Sequence, residues 1–250
     1  MVEKDGSVIN GATGERLSTR IARLVRELIL SGEAPGGTRL RVEHLAARFG
    51  VSATPVREAL MSLHGEGLVS FQPGRGFAVI PITRQDLLDL FGAQAYFAGE
   101  LTARAAARMD DQQLDNMWKL QHELVRAIDT GDFVEADRVE FEFHQALNQI
   151  SQSPKLRWML KSTMNYVPFQ TWHEMPGWAT GAPEDHLPIL RALSHRSPQA
   201  ARAAMTAHLT NVAEMLADLL TERGVLTENS SATEYGRSAH CGHETAVSSA

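Results

Sequence analysis

The chain of 250 residues has one cysteine, Cys241, and no apolar run as long as a membrane span. A single cysteine excludes an intrachain disulfide and fits a reducing cytoplasm. Residues 1–15 are polar and rich in glycine, so we expect a flexible tail there rather than a signal peptide. Apolar residues make up 43% and charged residues 22% of the chain, which is typical of a soluble globular protein of one large or two ordinary domains.

Lysine and aspartate are both missing from residues 16–82. Nine Arg and five Glu give this segment a formal net charge of +4, whereas the whole chain carries −6. A positive region confined to one part of an acidic protein is typical of a surface that binds phosphate. The segment therefore favours a nucleic-acid-binding domain.

The sequence VSATPVREAL, residues 51–60, predicts a helix that begins abruptly. Ser52 or Thr54 can cap its first N–H groups, and Pro55 fits the first turn, where a missing N–H has no consequence. Apolar positions recur at helical spacing, so Ser52, Thr54 and Arg57 remain on the outward side. An outward helix end of this kind can face a phosphate or a base edge.

A helix predicted over residues 40–49 ends at Gly50, and a short turn joins it to the helix just described, as in a helix-turn-helix. Two strand-like runs follow, and between them Gly74 and Arg75 occupy a tight turn. Together with an amphipathic helix from about residue 17, these elements predict a winged helix-turn-helix domain over residues 16–82. Short helix-turn-helix patterns also occur in proteins that never bind nucleic acid. The net positive charge of residues 16–82 is therefore the second argument for a nucleic-acid-binding domain.

The runs ILSGEAPGGTRL, LAARFGVSATPVREAL, LHGEGLV and PGRGFAV resemble, in order and spacing, the DNA-binding domain of GntR-type bacterial transcription regulators. The resemblance implies that Ser52, Thr54 and Arg57 contact operator DNA. It also implies that Gly74 and Arg75, on the wing, reach phosphate or the minor groove.

This chain departs from the family pattern at two places. Ala53 stands where the family usually has an Arg, a residue that can read guanine with about 1–3 kcal/mol of discrimination. Val42 and Glu43 replace a usual Glu-Arg pair. We therefore expect an unusual operator sequence.

From residue 83 onward the sequence predicts helices and almost no strands, so the protein is mainly α. Breaks at Gly131, Pro154 and Pro198 separate the helices. We expect an all-helical bundle over residues 83–223 and a disordered tail over residues 224–250, because the apolar period stops there. The six predicted helices span residues 84–108, 112–130, 132–151, 154–170, 184–196 and 198–223, with a loop at 171–183.

Histidines carry the chemistry of the predicted bundle. Glu140 and His144 are four residues apart and share a helix face, while His186 and His208 lie on later helices. Three imidazoles and a carboxylate suit a divalent cation such as Zn, Ni or Mn with open coordination positions. A chain with ten histidines offers such sets by chance, so spacing alone is a weak indication.

The bundle resembles the FCD type of effector domain in FadR-like regulators, which has D-x-x-x-H followed by two further histidines. Glu140 takes the place of the Asp in that pattern. The resemblance implies a metal in a cavity that binds an organic acid, and a homodimer that places two recognition helices about one DNA turn apart. Gln94 stands where the family often has an effector-binding Arg, and Asn165 is a further candidate. Tyr166, Trp172 and His173 line the same pocket or serve only as packing residues.

These expectations describe a DNA-binding regulator, most simply a cytoplasmic repressor, rather than an enzyme or a membrane protein. One alternative is a regulator for which the cation itself is the signal. Another is a metal-dependent hydrolase, for which Glu142 or Glu184 is the available general base.

Overall fold

The computed structural model describes residues 15–164 and 172–228. The chain forms two compact units, which divide between Thr83 and Arg84 and again between Glu222 and Arg223. The first unit therefore contains the N-terminal part of the chain and the segment that follows residue 222. The predicted tail at residues 1–15 lies outside the described residues except for Glu15.

Three helices form the core of the first unit: α1 (Leu17–Leu30), α2 (Val42–Phe49) and α3 (Ala53–Gly65). Helices α1 and α3 pack through apolar side chains that are fully buried, among them Ile21, Val56 and Leu60. Gly50 ends α2 in the left-handed conformation, with φ of 66°, which a glycine adopts without strain. This turn sets the start of α3 at the surface.

A three-stranded antiparallel sheet forms the wing, in the order β1 (Arg39–Leu40), β3 (Gly76–Val79) and β2 (Val69–Gln72). Phe71 lies opposite Phe77 across the hairpin, and their rings are 4.8 Å apart. Our prediction that the helix before Gly50 starts at residue 40 was wrong. Leu40 pairs with Phe77 in the sheet, because an edge position beside the hairpin buries its side chain, and Arg41 is the N-cap of the helix.

The chain returns to the first unit after residue 222. Strand β5 (Leu226–Thr227) pairs in parallel with β4 (Ile82–Thr83), and Val225 beside it is 3% exposed. Gly32, with φ of +84°, approaches so closely that an added Cβ would lie 2.7 Å from the Arg223 carbonyl oxygen. The start of the predicted disordered tail is therefore structured as far as residue 228, and residues 229–250 lie outside the described part of the chain.

The second unit is a bundle of six α-helices among its described residues. Helix α4 packs along α9, and Gly99 allows close contact there, since a Cβ on it would lie 3.0 Å from Thr206 Oγ1. Arg84 also ties the two helices by ion pairs with Glu214 and Asp218. The helices are α4 (Arg84–Arg108), α5 (Asp111–Asp129), α6 (Phe133–Ile150), α7 (Pro154–Thr163), α8 (Trp178–Ser194) and α9 (Pro198–Glu222).

Helix α8 begins six residues earlier than predicted, so the expected loop at 171–183 was wrong for its second half. The loop was predicted because the stretch holds proline and glycine, yet Pro183 lies inside the helix together with Pro188. Trp178 and Ala182, fully buried in the first turns, explain the difference, because their burial favours the helix despite the prolines. A 3-10 turn, Trp172–Glu174, precedes α8. None of the described helices is both long and apolar enough to cross a membrane.

Candidate functional site

The N-terminal end of α3 presents polar side chains to solvent. Ser52, Thr54 and Arg57 are all exposed, as are Gly74 and Arg75 on the wing. Ser52 occupies the N-cap position, but its side chain makes no capping hydrogen bond. Ser52 and the first residues of α3 are exposed, and the positive end of the helix dipole there attracts anions.

Four arginines line one cleft of about 240 Å³ in the first unit: Arg39, Arg41, Arg57 and Arg75. None of them forms an ion pair with another described residue. Other arginines of this unit are paired, for example Arg26 with Glu66 and Arg48 with Glu33. The cleft therefore carries a net positive charge that is available to a ligand.

Sequence reasoning missed Arg39 and Arg41 as members of this surface. Both precede α2: Arg39 lies in the short strand β1 of the wing, and Arg41 follows that strand before the helix. Glu43, which replaces a family arginine, lines the same cleft. The alternation of Arg, Leu and Arg at residues 39–41 was the available signal, since it is the pattern of a half-buried strand.

The structure brings the four predicted ligands together inside the helical bundle. Glu140 and His144 come from α6, His186 from α8 and His208 from α9, and one ligand atom of each lies within 4.8 Å of the others. His144 Nε2 is 3.2 Å from both Glu140 Oε1 and His208 Nε2, and His186 Nε2 is 3.6 Å from Glu140 Oε1. Three Nε2 atoms and one carboxylate oxygen therefore converge.

These spacings fit a bound divalent cation. With metal–nitrogen distances of about 2.0–2.1 Å, neighbouring ligand atoms in a tetrahedral site are about 3.3 Å apart. Glu140 Oε2 and His186 Nε2 are buried and have no hydrogen-bond partner, an arrangement that is costly unless something else satisfies them. The donor set is the one that zinc and similar metals accept.

The protonation states of the cluster also suit a cation. Burial by itself would raise the pKa of Glu140, but His186 and His144 hold that pKa well below its usual range. Burial lowers the pKa of His208 to about 4, against an opposing effect of Asp185. At neutral pH the site therefore offers an anionic carboxylate and a neutral His208, which are the states that bind metal.

Asp185 lies behind His208. Its Oδ2 is 3.7 Å from His208 Nδ1, and Asn211 Nδ2 donates to both of its carboxylate oxygens. The nearby imidazole of His208 is the main cause that lowers the pKa of Asp185. Phe143 stacks on the ring of His186 with centroids 4.0 Å apart. Both imidazoles are thus held in place by their surroundings.

His173, one of the described residues with two open roles, has a defined polar contact. Its Nδ1 lies 2.9 Å from Asp137 Oδ2, and its ring stacks on Phe133. Asp137 is buried one turn before Glu140, and burial raises its pKa although His173 opposes the shift. Trp172 lies in the same 3-10 turn, while Tyr166 falls outside the described residues.

The two predicted effector residues have different outcomes. Gln94 is buried, and its Nε2 donates to the Thr163 carbonyl, so the amide connects α4 to the end of α7. Asn165 lies outside the described residues. Of the general bases considered for a hydrolase, Glu184 is exposed, whereas Glu142 is half-buried and held by an ion pair with Arg138.

Comparison with known proteins identifies two domains. The family described as bacterial regulatory proteins, gntR family, matches residues 17–79, and the FCD domain matches residues 89–211. The chain is 28% identical over 215 residues to the HTH-type transcriptional repressor RspR of Escherichia coli K12. This alignment covers 82% of this chain and 91% of RspR. It is also 28% identical over 196 residues to the Nta operon transcriptional regulator of Aminobacter aminovorans, an alignment that covers 77% of this chain and 90% of that regulator.

Solved structures share the fold. Escherichia coli McbR/YncC matches with a TM-score of 0.59 and 22% identity, over 84% of this chain and 99% of that chain. A second structure, titled "Lar controls the expression of the Listeria monocytogenes agr system and mediates virulence", matches with a TM-score of 0.55 and 20% identity, over 83% and 100%. At this level of identity the likeness concerns the architecture of the two units.

Proposed function

The chain belongs to the gntR family of bacterial regulatory proteins and carries an FCD domain, and on this premise we propose that it is a metal-containing, effector-controlled repressor that binds its operator as a homodimer. Membership makes it a DNA-binding transcription regulator rather than an enzyme. RspR is described as a repressor, which supports repression rather than activation as the action of this protein. As a protein that works on bacterial DNA, it acts in the cytoplasm.

The operator-binding surface is the arginine cleft together with the exposed end of α3. Arg57 and Arg75, which were expected on this surface, share the cleft with Arg39 and Arg41. Ser52 hydroxyl, free of capping, can donate to a phosphate oxygen. Arg41 supplies a cation near the position where Glu43 replaces the arginine of the family, so phosphate binding is retained while the base preference changes.

The metal site is formed by Glu140, His144, His186 and His208. The observation that carries this proposal is the convergence of four ligand atoms within 4.8 Å in a buried position. A divalent cation held there supplies a Lewis-acidic anchor for the carboxylate of an organic acid. His144, with 26% of its side chain exposed, is the most accessible ligand, so the effector approaches from its side.

Effector binding can change operator affinity only if the effector binds one conformation of the protein better than another. With Gln94 engaged by the Thr163 carbonyl and no arginine at that position, the effector carboxylate depends mainly on the metal. We therefore expect carboxylic acids to release the protein from DNA only when the metal is present.

A binding experiment tests this function. Genomic fragments selected by the purified protein supply the operator, and fluorescence anisotropy measures its affinity with mono-, di- and tricarboxylates, in the presence of zinc and of a chelator. Release by an acid that requires zinc supports the proposal. Release or binding that follows zinc alone, with no effect of any acid, would favour the alternative in which the cation is the signal.

A further inference from the structure

The residue that prepares His186 for metal binding lies on a different helix from all four ligands. Gln121, on α5, is 3% exposed, and its Oε1 is 3.0 Å from His186 Nδ1. Its Nε2 is 2.9 Å from the carbonyl oxygen of Pro183. A single buried amide thus touches the imidazole and the backbone of α8.

The chemistry of the contacts fixes the orientation of this amide. The Pro183 carbonyl can only accept a hydrogen bond, so the NH₂ group of Gln121 must face it. The reverse orientation would place two carbonyl oxygens 2.9 Å apart and a donor against the ring nitrogen. The amide oxygen therefore faces His186.

An amide oxygen can only accept, so Nδ1 of His186 carries the proton. In the neutral ring the lone pair is then on Nε2, the atom that lies 3.6 Å from Glu140 Oε1 and has no hydrogen-bond partner. Without Gln121 nothing in the described surroundings of Nδ1 holds the proton there. Ring orientation alone, which stacking on Phe143 provides, does not distinguish the two tautomers.

We infer that Gln121 is a positioning residue that sets the tautomer of His186 and so presents Nε2 to the metal. This inference rests on the proposed metal site. Outer contacts of this kind typically change metal affinity about 10- to 100-fold. No pattern of the sequence indicated it, because a glutamine on a mixed helix face has no characteristic spacing with the histidines.

The test begins with metal-free wild-type protein. Long-range ¹⁵N–¹H spectra report which ring nitrogen of each histidine is protonated, and the His186 signal is assigned by its absence from His186→Asn. We expect the proton on Nδ1. A proton on Nε2 in the wild type would contradict the inference, and this result needs no variant at Gln121.

Three variants extend the test, with zinc affinity measured by competition with a fluorescent chelator. Gln121→Met removes the acceptor at similar volume, and we expect the His186 proton to redistribute toward Nε2 and zinc affinity to fall about 10- to 100-fold. Gln121→Glu loses the donor to the Pro183 carbonyl but retains an acceptor toward Nδ1, so the Nδ1 proton is kept and the loss of affinity is smaller than in Gln121→Met. Gln112→Leu, at an exposed glutamine of the same helix, leaves both readouts unchanged.

The outcomes separate this inference from the metal site itself. Wild-type tautomer and wild-type zinc affinity in Gln121→Met would overturn the role of Gln121 while leaving the metal site intact. Absence of zinc binding in the wild type would overturn the proposed site, whatever the tautomer. If Gln121→Met fails to fold, the His186 tautomer in the wild type and in Gln121→Glu decides whether Gln121 has this role.

Discussion

His144 Nε2 and His208 Nε2 lie 3.2 Å apart although 64 residues separate them in the chain. Their rings are stacked, with centroids 5.1 Å apart. Two imidazole nitrogens at this distance share either a proton or a metal ion. The buried Glu140 carboxylate beside them favours the metal, because it adds a charge that needs a cation.

Stability of the metal-free protein should fall as the pH falls from about 6.5 to about 4. The pKa of His208 is about 4 in the folded protein and 6.5 as its ordinary value, so the unfolded chain binds the extra proton in this interval. Because the proton favours unfolding, stability is complete above pH 6.5 and is lost toward pH 4, by about 3 kcal/mol for this group.

Thermal melts in the presence of a chelator measure this dependence. His208→Gln, which cannot be protonated, should have a shallower slope over the same interval. His122→Gln, at an exposed histidine, should keep the slope of the wild type. Equal slopes in His208→Gln and the wild type would show that His208 is not the group responsible.

Replacement of Arg57 by Ala should weaken operator binding and reduce its salt dependence. Each phosphate contact that is lost lowers the slope of log K against log salt by about 0.9. Arg41→Ala should have a similar effect, because both arginines line the same cleft. Arg126→Ala, an exposed arginine of the helical bundle, is the control. If Arg57→Ala keeps the wild-type slope, the recognition helix has been assigned wrongly.

The pair of Asp137 and His173 should contribute to the stability of the bundle. Asp137 is buried and its Oδ2 lies 2.9 Å from His173 Nδ1, so truncating the His173 side chain deprives the buried carboxyl of its imidazole partner. A double-mutant cycle with Asp137→Ala and His173→Ala should give a coupling free energy of about 1 kcal/mol. Chemical denaturation measures it, and additive effects would mean that His173 is only a lining residue.

Gly32→Ala should destabilise the protein more than Gly37→Ala does. Both glycines have φ of +84°, so both substitutions cost about 1 kcal/mol from the backbone. Only Gly32 adds a clash, with the Arg223 carbonyl oxygen, because nothing lies within 4 Å of a Cβ on Gly37. In a chain that ends at Glu222 the two costs should become equal. A persistent difference there would mean that residues 223–228 are not the cause.

The sequence was sufficient for features that depend on local spacing. Glu140 and His144 share a helix face whatever the tertiary structure, and the turn at Gly50 is specified by a residue suited to positive φ. The fold class and the winged helix-turn-helix followed from such patterns and from the family resemblance, and they are confirmed.

Features that depend on distant contacts could not be predicted. Strand β5 has only two residues and forms because β4 is available beside it. Helix α8 includes Pro183 because burial of Trp178 outweighs the local preference for a break. Gln121 touches His186 across 65 residues of sequence. In each case tertiary packing determines the local structure or contact, and neither the composition nor the periodicity of the sequence indicates that packing.

Metal analysis of purified protein is the most direct test of the metal-anchored site. We expect about one divalent cation per chain in the wild type and in His122→Ala, and a loss of that cation in His144→Ala. Carboxylic acids should then raise the melting temperature of the wild type and of His122→Ala but not of His144→Ala. Equal metal content in wild type and His144→Ala, or no metal in either after reloading with zinc, would contradict the account.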